Sequence, residues 1–418
     1  MINHRSESGR SRREFLKQAM QGGALLLIGG SVPALLSSGC NSVANPAQTL
    51  RRAADYLWAQ QSTDGAWRSG QYAMLRSGQA YTPFVLHALL RLPGQLLRGR
   101  QQQIEKGLEF IRGSINADGC IGLGDPDITE YPNYATSYGL RCLASTAKPA
   151  DRPLIEQAIG YLQRQQLTEQ RGFPPEHLAY GAWGFGSPNL PEGSPGHVDL
   201  SHHRMVLQAM REAGVRNEAM YDHAAAFLRL LQKHPSEQRE QPHDRLDEQP
   251  TGSVRYDGGF YFSPIVLGAN KGLQEPADAT HRPVFRSYAT ATCDGALALV
   301  AAGIQQTDER VAAARNWLIA HPVLDRPEGI PEGDPEPWHL ALHYYHLAGR
   351  CQAYRALGIG GDWPQQAAAI YTAEQQQDGS FSNRHSVLMK EDDPILATAL
   401  AVTGIREIVG DGRPERNG

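Results

Sequence analysis

The sequence predicts an all-α chain built as an array of about six helix pairs. Three observations carry that reading. A unit opens the chain: an amphipathic segment, an Asp-Gly turn with an aromatic, and a second apolar segment, spanning Ala53 to Trp67 and then Thr82 to Leu90. The same unit returns near the end, where Asp378-Gly379-Ser380-Phe381 precedes Ile395 to Ala401. Between them, Asp118-Gly119 and Asp257-Gly258 recur at intervals that leave room for two helices and their loops. A helix–turn–helix unit cannot bury its apolar face alone, so copies must stack.

The units read in order as follows. The first runs from Leu50 to Leu92. The second has an outer helix from Ile104 to Ile115 and an inner helix from about Tyr134 to Leu143. The third passes Ile155 and an aromatic, glycine-rich loop, Tyr180 to Gly186; Asp199-Leu200-Ser201 then opens an inner helix from His202 to Met210, and Asp and Ser there suit an N-cap. The fourth has Ala219 to Gln232 outside and Ser287 to Ala302 inside. The fifth has Asp308 to Ala320 outside, then a proline-rich loop from His321 to Pro337 ahead of Trp338. The sixth has Trp363 to Gln377 outside and Pro394 to Ile405 inside, with Asp393 as a cap before proline at the first helical position. Residues 45–409 form the domain; 235–252 read as an exposed polar insertion and 410–418 as a loose tail.

The spacing of Tyr56, Gln60, Gly65 and Trp67 resembles the QW repeat of the squalene cyclase and protein prenyltransferase superfamily. Tyr371, Gln375, Gly379 and Phe381 fit it with Phe for Trp, and Tyr161/Gln165 and Leu228/Gln232 keep its first half. The stretches RSYATATCDG and KEDDPILATALA look like exported bacterial members of that superfamily. The resemblance implies a closed, terpenoid cyclase-like α/α toroid whose inner helices surround a central cavity. It does not carry a reaction across, because the superfamily includes cyclases, zinc prenyltransferases and non-enzymes. Class II cyclases protonate an alkene with the central Asp of a DxDD motif, an acid kept neutral by an apolar pocket and neighbouring carboxylates. Here Lys390-Glu391-Asp392-Asp393 has Lys where that motif begins. Prenyltransferases hold zinc with D-x-C and a distant His, whereas Cys293-Asp294 are adjacent and reversed.

Composition sets the outer bounds. The 418 residues are 41% hydrophobic, enough for a core. A net charge of −4 without blocks of like charge gives nucleic-acid binding no electrostatic support. Ser11-Arg12-Arg13-Glu14-Phe15-Leu16-Lys17 matches a twin-arginine export signal, and the apolar run from about Gly22 to Leu36 is too short to span a membrane. Residues 1–44 therefore read as a signal peptide. Ser38-Gly39-Cys40 resembles a lipoprotein cleavage box, with lipidation of Cys40 anchoring the protein to the membrane; cleavage after Ala44 is the rival. The expected location is periplasmic or membrane-anchored. Cys120, Cys142, Cys293 and Cys351 read as buried apolar residues, with one disulfide permitted by an oxidising compartment.

Three features bear on chemistry. His339, His343 and His346 stand at i, i+4 and i+7, on one face of a continuous helix, where imidazoles suit zinc or another divalent metal; the alternative is a polar face packed on the next repeat. Asp294 lies inside an apolar inner helix, so it is either an acid with a raised pKa or a structural partner of Arg286 or Tyr288. Asp199 is a second candidate acid, with capping as its ordinary reading. Aromatics gather at turns and on inner helices, and Trp183, Phe260, Tyr288, Trp338, Tyr344 and Tyr345 are the expected cavity lining. Such a cavity suits a lipid-like or isoprenoid small molecule. Two classes follow: a protein that binds an apolar, isoprenoid-like or other ligand, or a protein partner; and an enzyme, of terpene cyclase or isomerase type through a buried Asp, or a His-metal hydrolase.

Replacing Arg12 and Arg13 together by lysine is expected to leave the protein in the cytoplasm. Cys40→Ser is expected to release the exported form from the membrane. Cell fractionation reads both, and unchanged fractions would remove the export and anchoring assignments.

Overall fold

The computed structural model describes residues 44–237, 239, 256–272, 274–275, 284–333 and 336–410. The signal segment, Cys40, most of the 235–252 insertion and nearly all of the tail lie outside the described residues. Among those described, twelve helices form six pairs. They are α1 (Pro46–Ala59) with α2 (Tyr81–Leu90), α3 (Gln101–Ser114) with α4 (Pro132–Thr146), and α5 (Arg152–Gln165) with α6 (Leu200–Glu212). The remaining pairs are α7 (Glu218–Leu231) with α8 (Ala289–Ala301), α9 (Glu309–Ala320) with α10 (His343–Ala356), and α11 (Trp363–Glu374) with α12 (Pro394–Val409). The even-numbered helices pack each on the next, and α12 packs back on α2, so the inner ring is closed. The odd-numbered helices cover it. One short antiparallel pair, Gln274–Glu275 with Val284–Phe285, sits in the loop before α8. No described helix is long and apolar enough to cross a membrane.

Two side-chain devices repeat around the ring. The first fastens the outer layer. A glutamine just after each of four outer helices donates from Nε2 to the glycine carbonyl of its own turn and to a carbonyl of the next outer helix. Gln61 joins Gly65 and Gln103, Gln166 joins Gly181 and Met220, and Gln232 joins Gly258 and Arg310. Gln375 joins Gly379 and Thr49, at 3.0 and 2.9 Å, closing the sixth unit onto the first. The repeat glutamines are thus Gln61 and Gln166, one residue beyond Gln60 and Gln165. The aligned outer-helix residues are Leu57 and Leu162, whose carbonyls accept the indole N–H of Trp67 and Trp183. The turn glycines press against the backbone of the following outer helix. At Gly379 (φ +93°) a Cβ would overlap the Arg52 carbonyl of α1, so both the left-handed backbone and the close approach demand glycine.

The second device finishes the inner helices. An α-helix leaves its first N–H groups without intrahelical acceptors. Five of the six inner-helix starts take an acceptor from the unit that follows. Glu130 accepts from Ser77 and Ala80 ahead of α2, and the Phe185 carbonyl accepts from Asn133 of α4. The Phe262 carbonyl accepts from Leu200 of α6 and the Glu328 carbonyl from Ala289 of α8. Glu391 accepts from Tyr344 and Tyr345 of α10 at 2.8 and 2.9 Å. Asp393 caps α12 itself, and Ser69 of the first unit donates to it at 2.5 Å.

This second device breaks the helix expected through the three histidines. In a continuous helix the Tyr344 N–H would bond the Leu340 carbonyl. Instead Glu391 takes that N–H, and Asn383 donates to that carbonyl at 2.7 Å. Trp338–Ala341 is therefore a separate turn, and α10 starts afresh at His343. Cys120, Cys142, Cys293 and Cys351 are buried free thiols.

Gly379→Ala is expected to cost roughly 2–4 kcal/mol, combining positive-φ strain with the overlap at Arg52. Gly410→Ala, with the same sign of φ and open space around it, is expected to cost about 1 kcal/mol. Urea unfolding of both variants measures the difference; equal losses would mean that the seam tolerates a side chain.

Candidate functional site

The caps set the inner-helix N-termini side by side, so they surround one end of the axis. Aromatic and charged side chains of the inner helices gather near these ends. Phe84 of α2, Tyr134 of α4 and Tyr345 of α10 are half-buried. Phe84 meets Tyr138 edge-on at 5.1 Å, and Tyr134 lies 5.8 Å from Tyr138. Tyr134 of α4 and Tyr345 of α10 come from opposite helices yet lie near enough for their ionised forms to repel.

Joined to them through Tyr345 is a buried ionic group. Arg204 of α6 donates to Asp294 of α8 at 2.6 Å and to Gln352 of α10 at 2.5 Å. The Tyr345 hydroxyl donates to the other Asp294 oxygen at 2.7 Å. Arg204 and Asp294 are 2% and 1% exposed, so each is the partner that makes the other's burial tolerable. Burial pushes the Asp294 carboxyl above its usual range, against the pull of Arg204 and Tyr345. Asp294 is thus partnered by Arg204 and Tyr345, not by Arg286 or Tyr288. The far end is closed by an ionic plug, where Glu212 accepts from Arg141 at 2.7 and 2.8 Å and from Arg91 at 3.3 Å. Arginines also cap the nearby helix C-termini, as Arg211 does at the Ala301 carbonyl.

The N-terminus of α6 holds a second polar group. Asp199 is the N-cap of α6, accepting from the His202 backbone at 3.0 Å and from Ser201 Oγ at 2.8 Å. It also faces His202 Nδ1 and His197 Nε2, each at 3.0 Å. Burial works against the charged form, yet these two imidazoles outweigh it and hold Asp199 well below the usual carboxylate range. A carboxylate only accepts, so Nδ1 of His202 carries a proton. Its Nε2 is buried without a partner. Tyr134 and Phe185 pack against the ring at 4.7 and 4.3 Å.

Of the six aromatics expected to line the cavity, two have an open side. Tyr345 stands in the aromatic cluster, and half-buried Trp338 sits in the turn before α10 with the Lys271 ammonium over its ring at 5.1 Å. The other four belong to the packing between layers. Trp183 and Phe260 are fully buried turn aromatics, Tyr288 is buried at the start of α8, and Tyr344 packs edge-on to Phe381 at 5.6 Å.

The three histidines do not converge. His343 Nδ1 faces the Asp325 carbonyl and Nε2 faces Glu374 at 2.8 Å. Burial opposes its charge, but Glu374 prevails and raises its pKa. With acceptors at both nitrogens it is an imidazolium with no lone pair for a metal. His346 is buried against the Val323 carbonyl, and His339 lies on the separate turn. Among the described residues no three His, Cys, Asp or Glu side chains are grouped to hold a metal. Arg204, Gln352, Phe84 and His202 enter the site without having been singled out for it. The signal for Arg204 was present, since a charge inside the apolar run of α6 calls for a buried partner just as Asp294 does.

The fold is that of a terpenoid cyclase-like α/α toroid. No known family model matches the sequence, and no curated protein matches it. Solved structures do match in fold. One is the type II terpene cyclase MstE from Scytonema in complex with geranylgeranyl dihydroxybenzoate: 12% identity over 87% of this chain and 97% of that one, TM-score 0.54. Another is the unsaturated glucuronyl hydrolase of Bacillus sp. GL1, responsible for glycosaminoglycan degradation: 13% identity, 87% and 96% coverage, TM-score 0.53. A protein from Actinoplanes is 17% identical over 88% of this chain and all of that one, TM-score 0.52. At such identities the likeness is one of fold.

Buried His203, between Trp183 and Phe227 at 5.4 and 4.9 Å, gives the core a pH signature. Burial lowers its pKa to about 3, whereas an unfolded histidine titrates near about 6.5. The unfolded chain takes up the proton first, so this stability is complete above about pH 6.5 and drains as the pH falls towards about 3. His203→Leu is expected to flatten the fall in stability over that range by about 1.4 kcal/mol per pH unit. Urea melts at stepped pH measure the slope.

Proposed function

We propose that this protein is a ligand-binding toroid whose site is an axial well at this cluster. Its ligand is amphipathic, with an isoprenoid-like or ring-shaped apolar body and a polar end. The observation that carries the reading is a cluster of half-buried inner-helix aromatics joined, through Tyr345, to a buried Arg204–Asp294 pair. The aromatic faces suit an apolar body. Gln352 and the unpaired Nε of Arg204 offer hydrogen bonds at the depth where the polar end would arrive. A bare hydrocarbon would use the aromatics and ignore the ion pair. The MstE neighbour holds a ligand of this kind, an isoprenoid chain on a dihydroxybenzoate. We propose also that the twin-arginine segment exports the folded domain and that Cys40 anchors it.

One observation favours a second reading as an enzyme. Asp199 orients His202 and leaves its Nε2 buried and unpartnered, as in the pairing of a general base with its positioning carboxylate. Asp294 does not serve the acid role expected of it in a cyclase, because it is ion-paired to Arg204 at 2.6 Å.

Native mass spectrometry of the purified full chain tests the first reading. A lipid-sized adduct is expected, displaced by added geranylgeraniol. Phe84→Ala should weaken geranylgeraniol binding about tenfold, the size of one lost aromatic contact face. A bare polypeptide mass with no geranylgeraniol uptake would overturn it. Turnover of a bound ligand that is lost in His202→Gln, with binding retained, would establish the second.

A further inference from the structure

A cleft of about 340 Å³ opens away from the axis, between the fourth and fifth units. That volume is at the small end for organic-ligand sites. Its walls are Asp257, Arg286 and Ser287 on one side, Trp317 and His321 at the end of α9, and the loop from Arg326 to Glu332 on the other. The cleft occurs where the repeat departs from its pattern. The fifth unit has no Asp-Gly turn after its outer helix, and the His321–Pro337 loop stands in its place.

The walls are fixed by bonds that do not involve any ligand. The Glu328 carbonyl accepts from Ala289 of α8, and the Glu328 carboxylate accepts from Val323 at 2.8 Å. Gly329 (φ +87°) lies so close to the Ser287 carbonyl that a side chain would not fit. Trp317 and His321 stack at 3.8 Å and 13°. Asp257 is occupied by Ser287 Oγ at 2.8 Å and by Lys233 at 3.4 Å, and Glu332 by Arg326 at 3.7 Å.

Arg286 is the exception. It is partly buried, its Nε is buried without a hydrogen-bond partner, and among the described residues its guanidinium has no ion pair. Its guanidinium lines the cleft without an ionic partner, so its planar fork is placed to meet an oxyanion there. Asp257, Glu328 and Glu332 share the lining, and their negative charge disfavours a phosphate dianion. The apolar surface of Trp317, Pro327 and Ile330 suits a flat organic body.

We infer that this cleft is a second ligand site, taking a small organic monocarboxylate in a bidentate pair with Arg286. The inference is independent of the axial well. Calorimetric titration of the purified full chain with benzoate tests it. Benzoate is expected to bind, and benzamide, of the same shape without the charge, to bind at least tenfold more weakly. Arg286→Gln should weaken benzoate at least tenfold. Glu332→Gln, at an exposed position, should tighten it about twofold by removing a like charge. No heat with benzoate, equal binding of benzamide, or an Arg286→Gln variant within twofold of the parent would overturn the inference. Inorganic phosphate binding more tightly than benzoate would overturn the carboxylate class. Loss of benzoate binding in Tyr345→Phe but not in Arg286→Gln would place benzoate in the axial well and overturn the site.

Discussion

Much of this toroid rests on one constraint: an α-helix leaves its first N–H groups without intrahelical acceptors. Six such ends meet around one mouth, where their unpaired N–H groups and partial positive charges add. Each needs acceptors; Asp199 and Asp393 supply one to their own helices, and in five of the six starts another comes from the neighbouring unit. Glu130, Phe185, Phe262, Glu328 and Glu391 fill that role in turn. No unit is therefore complete until the next is in place. The ring is a cooperative object, and its mouth is lined with acceptors already committed to backbone.

That commitment explains where chemistry is free to occur. Carboxylates at the rim are occupied as caps, so the groups with spare capacity lie deeper or to the side. Arg204 and Asp294 are buried and hold each other. A buried ion pair contributes little stability over well-packed apolar residues, so stability alone does not account for this pair. Burial keeps the Glu391 pKa up at about 7 even with two backbone donors and Asn383 beside it. The N-terminus of α10, and with it Tyr345, thus rests on a group that titrates in the neutral range.

Much of the fold was legible because the turn chemistry is local. Asp-Gly with an aromatic specifies a left-handed glycine and an inward ring, and both recur at intervals a helix pair requires. Register was less legible. Gln60 and Gln61 are adjacent, as are Gln165 and Gln166, and only the depth of the helix face decides which one reaches the next unit. The histidine face was misjudged for a different reason. Its pattern is helical, but Glu391 and Asn383, some forty residues on, take the hydrogen bonds that would continue the helix. Asp294 was recognisable as a buried charge from its own helix, while its partner Arg204 lies 90 positions earlier. Trp183 and Phe260 were aromatic for the sake of packing, which sequence spacing alone does not separate from lining a cavity.

The seam between Gln375 and Thr49 has an evolutionary corollary. An open solenoid can gain or lose copies at its ends, because the terminal copy needs only a polar outer face. A ring whose last copy is fastened to its first cannot, since a seventh copy would part the seam and a missing one would strand its neighbours' caps. Change here is confined to what each position contains, not how many positions there are. The fifth position illustrates this: it lacks the shared turn yet keeps its place in the ring, and the cleft lies where that turn would be.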